Sequence, residues 1–306
     1  MKNELLKPYV VSADVEGLMQ IWSRKTGFLL PNGEYFAGMS RDLQSILEGY
    51  FAAVDIIPED FLKSGLKNLA KNSNKPVVSL DRAYVSISDS NIIGFLDITR
   101  AVDESLNSIG QISRNPSQGI EHQVNQISKR IGCEDINLLD DVIFEGKTMA
   151  IIIETFKKQG INVQTVIAGI AIKEGIILLE ENGVSVDALL TYDQVVDEIC
   201  ERDFVVGSPL SGRTLNIKGK IFGAPYLYPF GKPIEWASIP KNKAIEFSLF
   251  CLSQSLKMWG NAERISQSSI STKSLAKPIF RLQENKSIVQ ALVKVRNQLV
   301  QGEFES

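Results

Sequence analysis

Hydrophobic residues recur at helical spacing through the first quarter of this chain and in short strand-like runs through its middle. Leu43, Ile46, Leu47, Tyr50 and Phe51 share one face of a 3.6-residue period, and Phe61, Leu62, Leu66 and Leu69 repeat it. Residues 1–75 therefore read as mostly helical, joined by loops rich in Gly and Pro. Asn72-Ser73-Asn74-Lys75-Pro76 breaks the pattern. Beyond the break, 77–80 and 92–96 read as strands, 103–117 as a polar loop containing Gly110, Asn115 and Pro116, and 121–130 as a short helix.

From residue 137 the alternation becomes regular. A strand at 137–142 precedes a helix at 148–158, where Met149, Ile152, Ile153 and Phe156 fall at i, i+3, i+4 and i+7 and Gly160 is placed to stop it. The next strand, 163–170, is almost wholly apolar, as a strand buried on both faces should be. Residues 175–180 and 186–190 continue the series, and 194–202 read as helical. Residues 207–240 are rich in Gly and Pro; an apolar helix at 242–260 ends at Trp259-Gly260, and 288–300 form a last helix. Strand–helix–strand units of this length imply parallel pairing. The expected fold is α/β, a central, mainly parallel sheet flanked by helices, with helical additions at both ends. The expected regions are a helical 1–75, an α/β core at 76–232 and a helical 233–306.

Composition adds little to this picture, but charge distribution adds something. The chain has 306 residues and a net charge of −3. Residues 134–203 carry fifteen Asp/Glu against five Lys/Arg, and residues 255–300 carry eight Lys/Arg against two Asp/Glu. The acidic centre suits a divalent cation or a hydroxyl-rich ligand and repels a nucleic-acid backbone. The C-terminal positive charges are scattered among Ser and Gln, so nucleic-acid contact there is a weaker expectation than a solvated surface. No apolar run reaches the roughly 18–20 residues of a membrane span, and the opening residues lack the apolar core of a signal peptide. Cys133, Cys200 and Cys251 show no paired spacing. A cytoplasmic protein without membrane association is expected. His122, the only histidine, lies in a polar helix, and no Gly-x-Ser-x-Gly occurs, which argues against a serine hydrolase. Trp236, Phe247, Phe250 and Trp259 read as core residues.

The most definite chemical statement is at 136–149. A short apolar run ends in Asp140-Asp141; Glu145-Gly146-Lys147-Thr148 follow, and then a helix. Adjacent carboxylates can accept hydrogen bonds from a vicinal diol, and a helix N-terminus turns N–H groups toward a phosphate. In open α/β sheets, ligands bind beyond the carboxyl ends of the strands.

This segment resembles the signature of the type I phosphoribosyltransferases: four mostly apolar residues (Ile136-Asn137-Leu138-Leu139), two acids (Asp140-Asp141), two apolar residues (Val142-Ile143), a short loop with Gly (Phe144-Glu145-Gly146-Lys147) and Thr148. The resemblance covers roughly residues 76–232. It implies that Asp140 and Asp141, as the catalytic pair, hold the ribose hydroxyls, partly with Mg²⁺, and that Glu145 to Thr148 wrap a 5′-phosphate. Three departures qualify it. Glu145 stands where a hydroxyl residue is usual and would repel a phosphate unless it turned away, was protonated or met Lys147. Phe144 stands where the hypoxanthine-guanine members carry an acid that acts on the base. No Gly-Gly pyrophosphate loop follows the first core strand. Arginine is the natural substitute there, because its planar fork meets phosphate oxygens in pairs. The candidates are Arg100, Arg114 and Arg213, the last in a segment resembling the family's late pyrophosphate-contacting stretch. Asp81, Arg82 and Asp97 are polar groups at strand ends that could line the same cleft or simply pair with one another.

The leading expectation is a phosphoribosyltransferase-like protein. It would bind phosphoribosyl pyrophosphate or a ribose 5-phosphate nucleotide with Mg²⁺ and exchange the group at C1. The alternatives are a non-catalytic nucleotide-sensing regulator and a nucleotide-targeting effector of a phage-defence system. A homo-oligomer is compatible with each.

Overall fold

The computed structural model describes residues 6–114, 118–132, 134–284 and 286–303. In chain order the elements begin with β1 (Tyr9–Ser12), α1 (Val15–Thr26), α2 (Gly33–Glu48), β2 (Val54–Ile57), α3 (Glu59–Asn72), β3 (Val77–Ser79), β4 (Ile92–Phe95), β5 (Ile98–Val102) and β6 (Ser108–Ser113). There follow α4 (Ile120–Ser128), β7 (Asp135–Ile143), α5 (Lys147–Lys157), β8 (Asn162–Ile172), α6 (Lys173–Glu181), β9 (Ser185–Tyr192) and β10 (Asp197–Cys200). Last come β11 (Arg213–Ile217), β12 (Lys220–Ala224), α7 (Pro233–Trp236), α8 (Ala244–Ser266) and α9 (Ile288–Val300).

The chain forms two compact units. One comprises 1–57, 101–109 and 196–306; the other comprises 58–100 and 110–195. The expected partition at residues 76 and 232 follows chain order, whereas these units interleave along the sequence.

The second unit is an α/β layer structure. Its sheet has the order β4-β3-β7-β8-β9, and every pairing is parallel. β8 explains why the centre reads as unbroken hydrophobicity: Val166 to Ile172 are all buried, because helices cover both faces. Met149, Ile152 and Phe156 of α5 pack with Val124 and Ile127 of α4 and Leu179 of α6 against Ile136, Leu138, Val166 and Ala168. α3 lies against β8 and β9 on the other face, its Leu62 and Leu66 fully buried. Burying a side chain such as Phe156, which is inaccessible to solvent, is worth about 3–5 kcal/mol against truncation to Ala.

The first unit is built on a three-stranded parallel sheet of order β10-β1-β2 and an aromatic core. Tyr9 stacks on Phe51 at 4.3 Å and donates its hydroxyl to the Ala237 carbonyl at 2.8 Å. The Trp259 indole, fully buried, donates to the Val206 carbonyl at 2.8 Å. Trp236 and Phe247 are core residues as expected, with Phe250 packed against them. β11 and β12 form an antiparallel hairpin, and β11 pairs in parallel with Ala101 and Val102 of β5.

Four expectations change. Residues 1–75 include the strands β1 and β2 as well as helices. Residues 194–202 are not helical: β10 occupies 197–200 and a 3₁₀ turn occupies Glu201–Phe204. Pairing with β1 decides that segment, and the local sequence pattern does not contain its partner. The polar stretch 103–117 holds β6 rather than loop alone. A turn in which the Asp103 carboxylate accepts the N–H groups of Ser105 and Asn107 leads into it. Of that stretch, Asn115, Pro116 and Ser117 lie outside the described residues. Finally, α8 runs past Gly260 to Ser266, since the roughly 1 kcal/mol cost of a helical Gly is offset by the buried face that continues through Ala262.

Candidate functional site

The five-stranded sheet reverses direction of build at β3. From β3 the order steps outward to β4 on one side, and through β7, β8 and β9 on the other. Loops leaving the carboxyl ends of β3 and β7 therefore part in opposite directions, and the crevice between them is the expected ligand position of such a sheet. β3 and β7 pair from Val77 with Asn137 to Ser79 with Leu139, and the Leu80 N–H to Leu139 carbonyl bond, 2.7 Å, comes last. β3 then turns away, while β7 continues through Asp140 and Asp141 to Ile143 alongside β8 alone. The two acids thus sit where β7 loses its β3 neighbour, not beyond the end of the strand.

Asp140 and Asp141 are each half-buried. One Asp140 oxygen accepts the Asp141 N–H at 3.0 Å, and one Asp141 oxygen accepts the Val142 N–H at 3.0 Å. Burial first, then the adjacent Asp141 carboxylate and the Asp81 carboxylate, hold the Asp140 pKa well above the usual carboxylate range. The pair therefore favours a shared proton, or a cation that replaces it.

Three glycines let the backbone after the acids fold closely. A Cβ on Gly169 would lie 2.7 Å from the Asp141 carbonyl, and one on Gly175 would lie 2.4 Å from the Phe144 carbonyl. Gly146 has φ +75° and would meet the Gly175 carbonyl at 3.0 Å. Gly146 brings no side chain to cap α5. The first intrahelical bond is Ala150 N–H to the Gly146 carbonyl, 2.9 Å. The N–H groups of Lys147, Thr148 and Met149 fall in the first turn, where a helix has no carbonyl of its own to meet them. Glu145 points to Lys147, with Nζ–Oε2 at 2.8 Å, and both side chains are exposed. Of the three ways Glu145 could coexist with a phosphate, the structure shows the one in which it meets Lys147.

The loop after β3 is arranged differently. Asp81 is 4% exposed, and its carboxylate accepts the N–H groups of Ala83, Tyr84 and Val85 at 2.8, 2.9 and 3.2 Å. These amides would otherwise be available to an anion in the crevice; the chain's own carboxylate occupies them.

The arginines are dispersed. Arg114 lies 3.5 Å from Asp97, which Arg82 also approaches at 3.7 Å. Arg100 is exposed on β5. Arg213 belongs to the first unit, where its guanidinium lies 4.6 Å over Trp236 and 5.7 Å over Tyr226. Arg82 and Asp97 do share a concavity, a cavity of about 490 Å³ between β4 and α4. Neither Asp81 nor any of the residues Asp140 to Thr148 lines it.

Two glutamines join the surroundings of these loops without any signal in the local sequence. Gln111 of β6 donates to the Thr148 hydroxyl at 3.0 Å. Gln123, buried on α4, accepts the Asp97 N–H at 2.7 Å and donates to the Ser113 hydroxyl at 2.9 Å and the Gln118 carbonyl at 3.0 Å. Only the partners give these amides meaning, and those partners are five to 37 residues distant.

Among the described residues, no group of three or more His, Cys, Asp and Glu is arranged to hold a metal ion. Mg²⁺ is commonly held by one or two carboxylates completed by water and ligand phosphate oxygens, so the donor chemistry of Asp140 and Asp141 fits it.

No protein-family profile matches the chain, and no curated protein matches it in sequence. Among solved structures it is similar to UMP synthase of Leishmania donovani, at 12% identity and TM-score 0.28, over 45% of this chain and 28% of that one. It is also similar to orotate phosphoribosyltransferase of Aeropyrum pernix, at 20% identity and TM-score 0.27, over 44% of this chain and 68% of that one. A third is adenine phosphoribosyltransferase of Trypanosoma brucei, at 14% identity and TM-score 0.28, over 52% of this chain and 72% of that one. The chain spans less than a third of the UMP synthase structure's length. Likeness at this level leaves the chemistry of the crevice to be argued from this chain's own residues, and what those residues form is an α/β crevice with paired acids and an open helix N-terminus.

Proposed function

We propose that the protein binds a ribose 5-phosphate compound in the β3/β7 crevice and acts on, or senses, the substituent at C1. The observation that carries this reading is the juxtaposition of the Asp140-Asp141 pair with the uncapped start of α5. The carboxylates would take the 2′- and 3′-hydroxyls. The first-turn N–H groups of Lys147, Thr148 and Met149 would meet the 5′-phosphate, with Lys147 and the positive end of the helix supplying opposite charge. Mg²⁺ would be held by the same carboxylates and would supply positive charge where the C1 substituent departs. With a ligand of this class, an oxocarbenium-like transition state depends on placed charge more than on a strong base. Asp140 and Asp141 are then the catalytic residues, phosphoribosyl pyrophosphate or a nucleotide the substrate, and group exchange at C1 the reaction.

The test is calorimetric titration of wild type and Asp141→Asn with ribose 5-phosphate and with phosphoribosyl pyrophosphate, each with Mg²⁺. Loss of at least ten-fold in affinity for both is expected. Equal affinities in the two proteins would remove the crevice from consideration.

Two observations favour a second reading, a nucleotide sensor without turnover. Asp81 occupies the amides of the β3 loop that a pyrophosphate would use, and Phe144 offers no acid to the base. Tight binding of a nucleotide with no product formed from any of a panel of bases would select it.

A further inference from the structure

The cavity between β4 and α4 has chemistry of its own. Its apolar wall is Ile93, Phe95, Ile127 and Ile131, and at about 490 Å³ it is the size of small-molecule sites. Arg82 and Arg130 line it, and Arg114 stands against the Asp97 carboxylate that faces it. Arg82 and Arg114 approach the Asp97 carboxylate at 3.7 and 3.5 Å, and Arg130 adds a further cation to the lining, so positive charge exceeds negative there. The Arg82 guanidinium lies 5.1 Å over the Phe95 ring, so the apolar wall carries a flat cationic shelf. A planar ring bearing an anionic group matches that combination, the ring on the apolar wall and the anion toward Arg130.

The cavity is also tied to the crevice by one strand. Ser113 of β6 lines the cavity and accepts the Gln123 amide at 2.9 Å. Gln111, two residues earlier and on the same side of the strand, donates to Thr148 at 3.0 Å. A ligand that repositions Gln123 or Ser113 therefore acts on the same strand that holds the start of α5.

We propose that the β4/α4 cavity is a second ligand site, taking a planar organic anion up to the size of a nucleoside monophosphate, and that its occupancy biases the α5 loop through β6. The regulatory half rests on the reading of that loop given above; the binding half does not.

Asp140→Asn/Asp141→Asn silences the crevice, and the cavity is then titrated with AMP and UMP in this background. At least one of the two should bind, and adding Arg130→Gln should weaken it ten-fold or more while the melting temperature without ligand stays within 2 °C of the parent, a bound on the order of the small effect of surface substitutions. Absence of binding in the silenced background, or binding indifferent to Arg130→Gln, overturns the site. Hydrogen exchange at Thr148 to Ala150 in the same background should change when the bound mononucleotide is added. Unchanged exchange there overturns the regulatory half alone. Failure of the ribose-phosphate reading would show separately, as equal ribose 5-phosphate affinity in wild type and Asp141→Asn.

Discussion

Asp140 is a carboxylate whose surroundings oppose its charge. Burial, Asp141 and Asp81 raise its pKa well above the carboxylate range in the folded chain, while the unfolded chain releases that proton near pH 4. Between those two pH values the native state binds the extra proton, so stability falls as pH rises, by up to about 1.4 kcal/mol per pH unit. Asp140→Asn removes the dependence. It should raise the melting temperature above wild type at pH 8 and do so less at pH 5, and parallel melting curves across pH would refute a retained proton. The pair itself was legible in the sequence because its members are neighbours in the chain and precede a loop with Gly146. That Asp81 fills its own loop was not, since its position shows an acid at a strand end but not which way the three following amides turn. Glu145 was legible as a difficulty, and Lys147, two residues on, as one of its remedies.

At the scale of elements, β6 is the piece that the pattern of hydrophobicity hides. Its residues Ser108 to Gly110 are exposed, and it has a single buried residue, Ser113. Nothing in it alternates cleanly enough to announce a strand. α5 and β8 were legible because burial imposes a period on one and an unbroken apolar run on the other. The local pattern hides β10 because Asp197 to Cys200 become a strand through pairing with β1, each partner 188 residues away in sequence. The bond from Gln111 to Thr148 gives β6 a measurable task. A neutral hydrogen bond is worth about 1 kcal/mol, so Gln111→Ala should weaken ribose 5-phosphate binding by about two- to ten-fold and speed exchange of the α5 N-terminal amides. If binding and exchange both stay at wild-type values, the strand does not support the loop.

At the scale of the molecule, the α/β class and the parallel sheet were legible from the strand–helix alternation after residue 137. The division into units was not, because contiguity in sequence is a poor guide to a chain that passes from one unit to the other after residues 57, 100, 109 and 195. All three tryptophans, Trp22, Trp236 and Trp259, belong to the first unit. A chain ending at Val195 contains every residue of the second unit but only 1–57 and 101–109 of the first. It lacks Ser274, whose carbonyl accepts the Trp22 indole at 2.7 Å, and it lacks β10. Trp22 emission in that fragment should be that of a water-exposed indole, and a blue-shifted spectrum would show that the first 57 residues order without the rest.

The interleaving has a further consequence for how the protein is made. On a ribosome, the residues of the second unit are complete once Val195 has emerged, whereas β1 and β2 must wait for β10 and then for α8 and α9, the last of which closes only at residue 300. β1 and the helices α1 and α2, synthesised ahead of the second unit, are thus among the last of these elements to be buried. For that interval the apolar faces of α1 and α2 stand open to other nascent chains, the situation in which holding chaperones are needed.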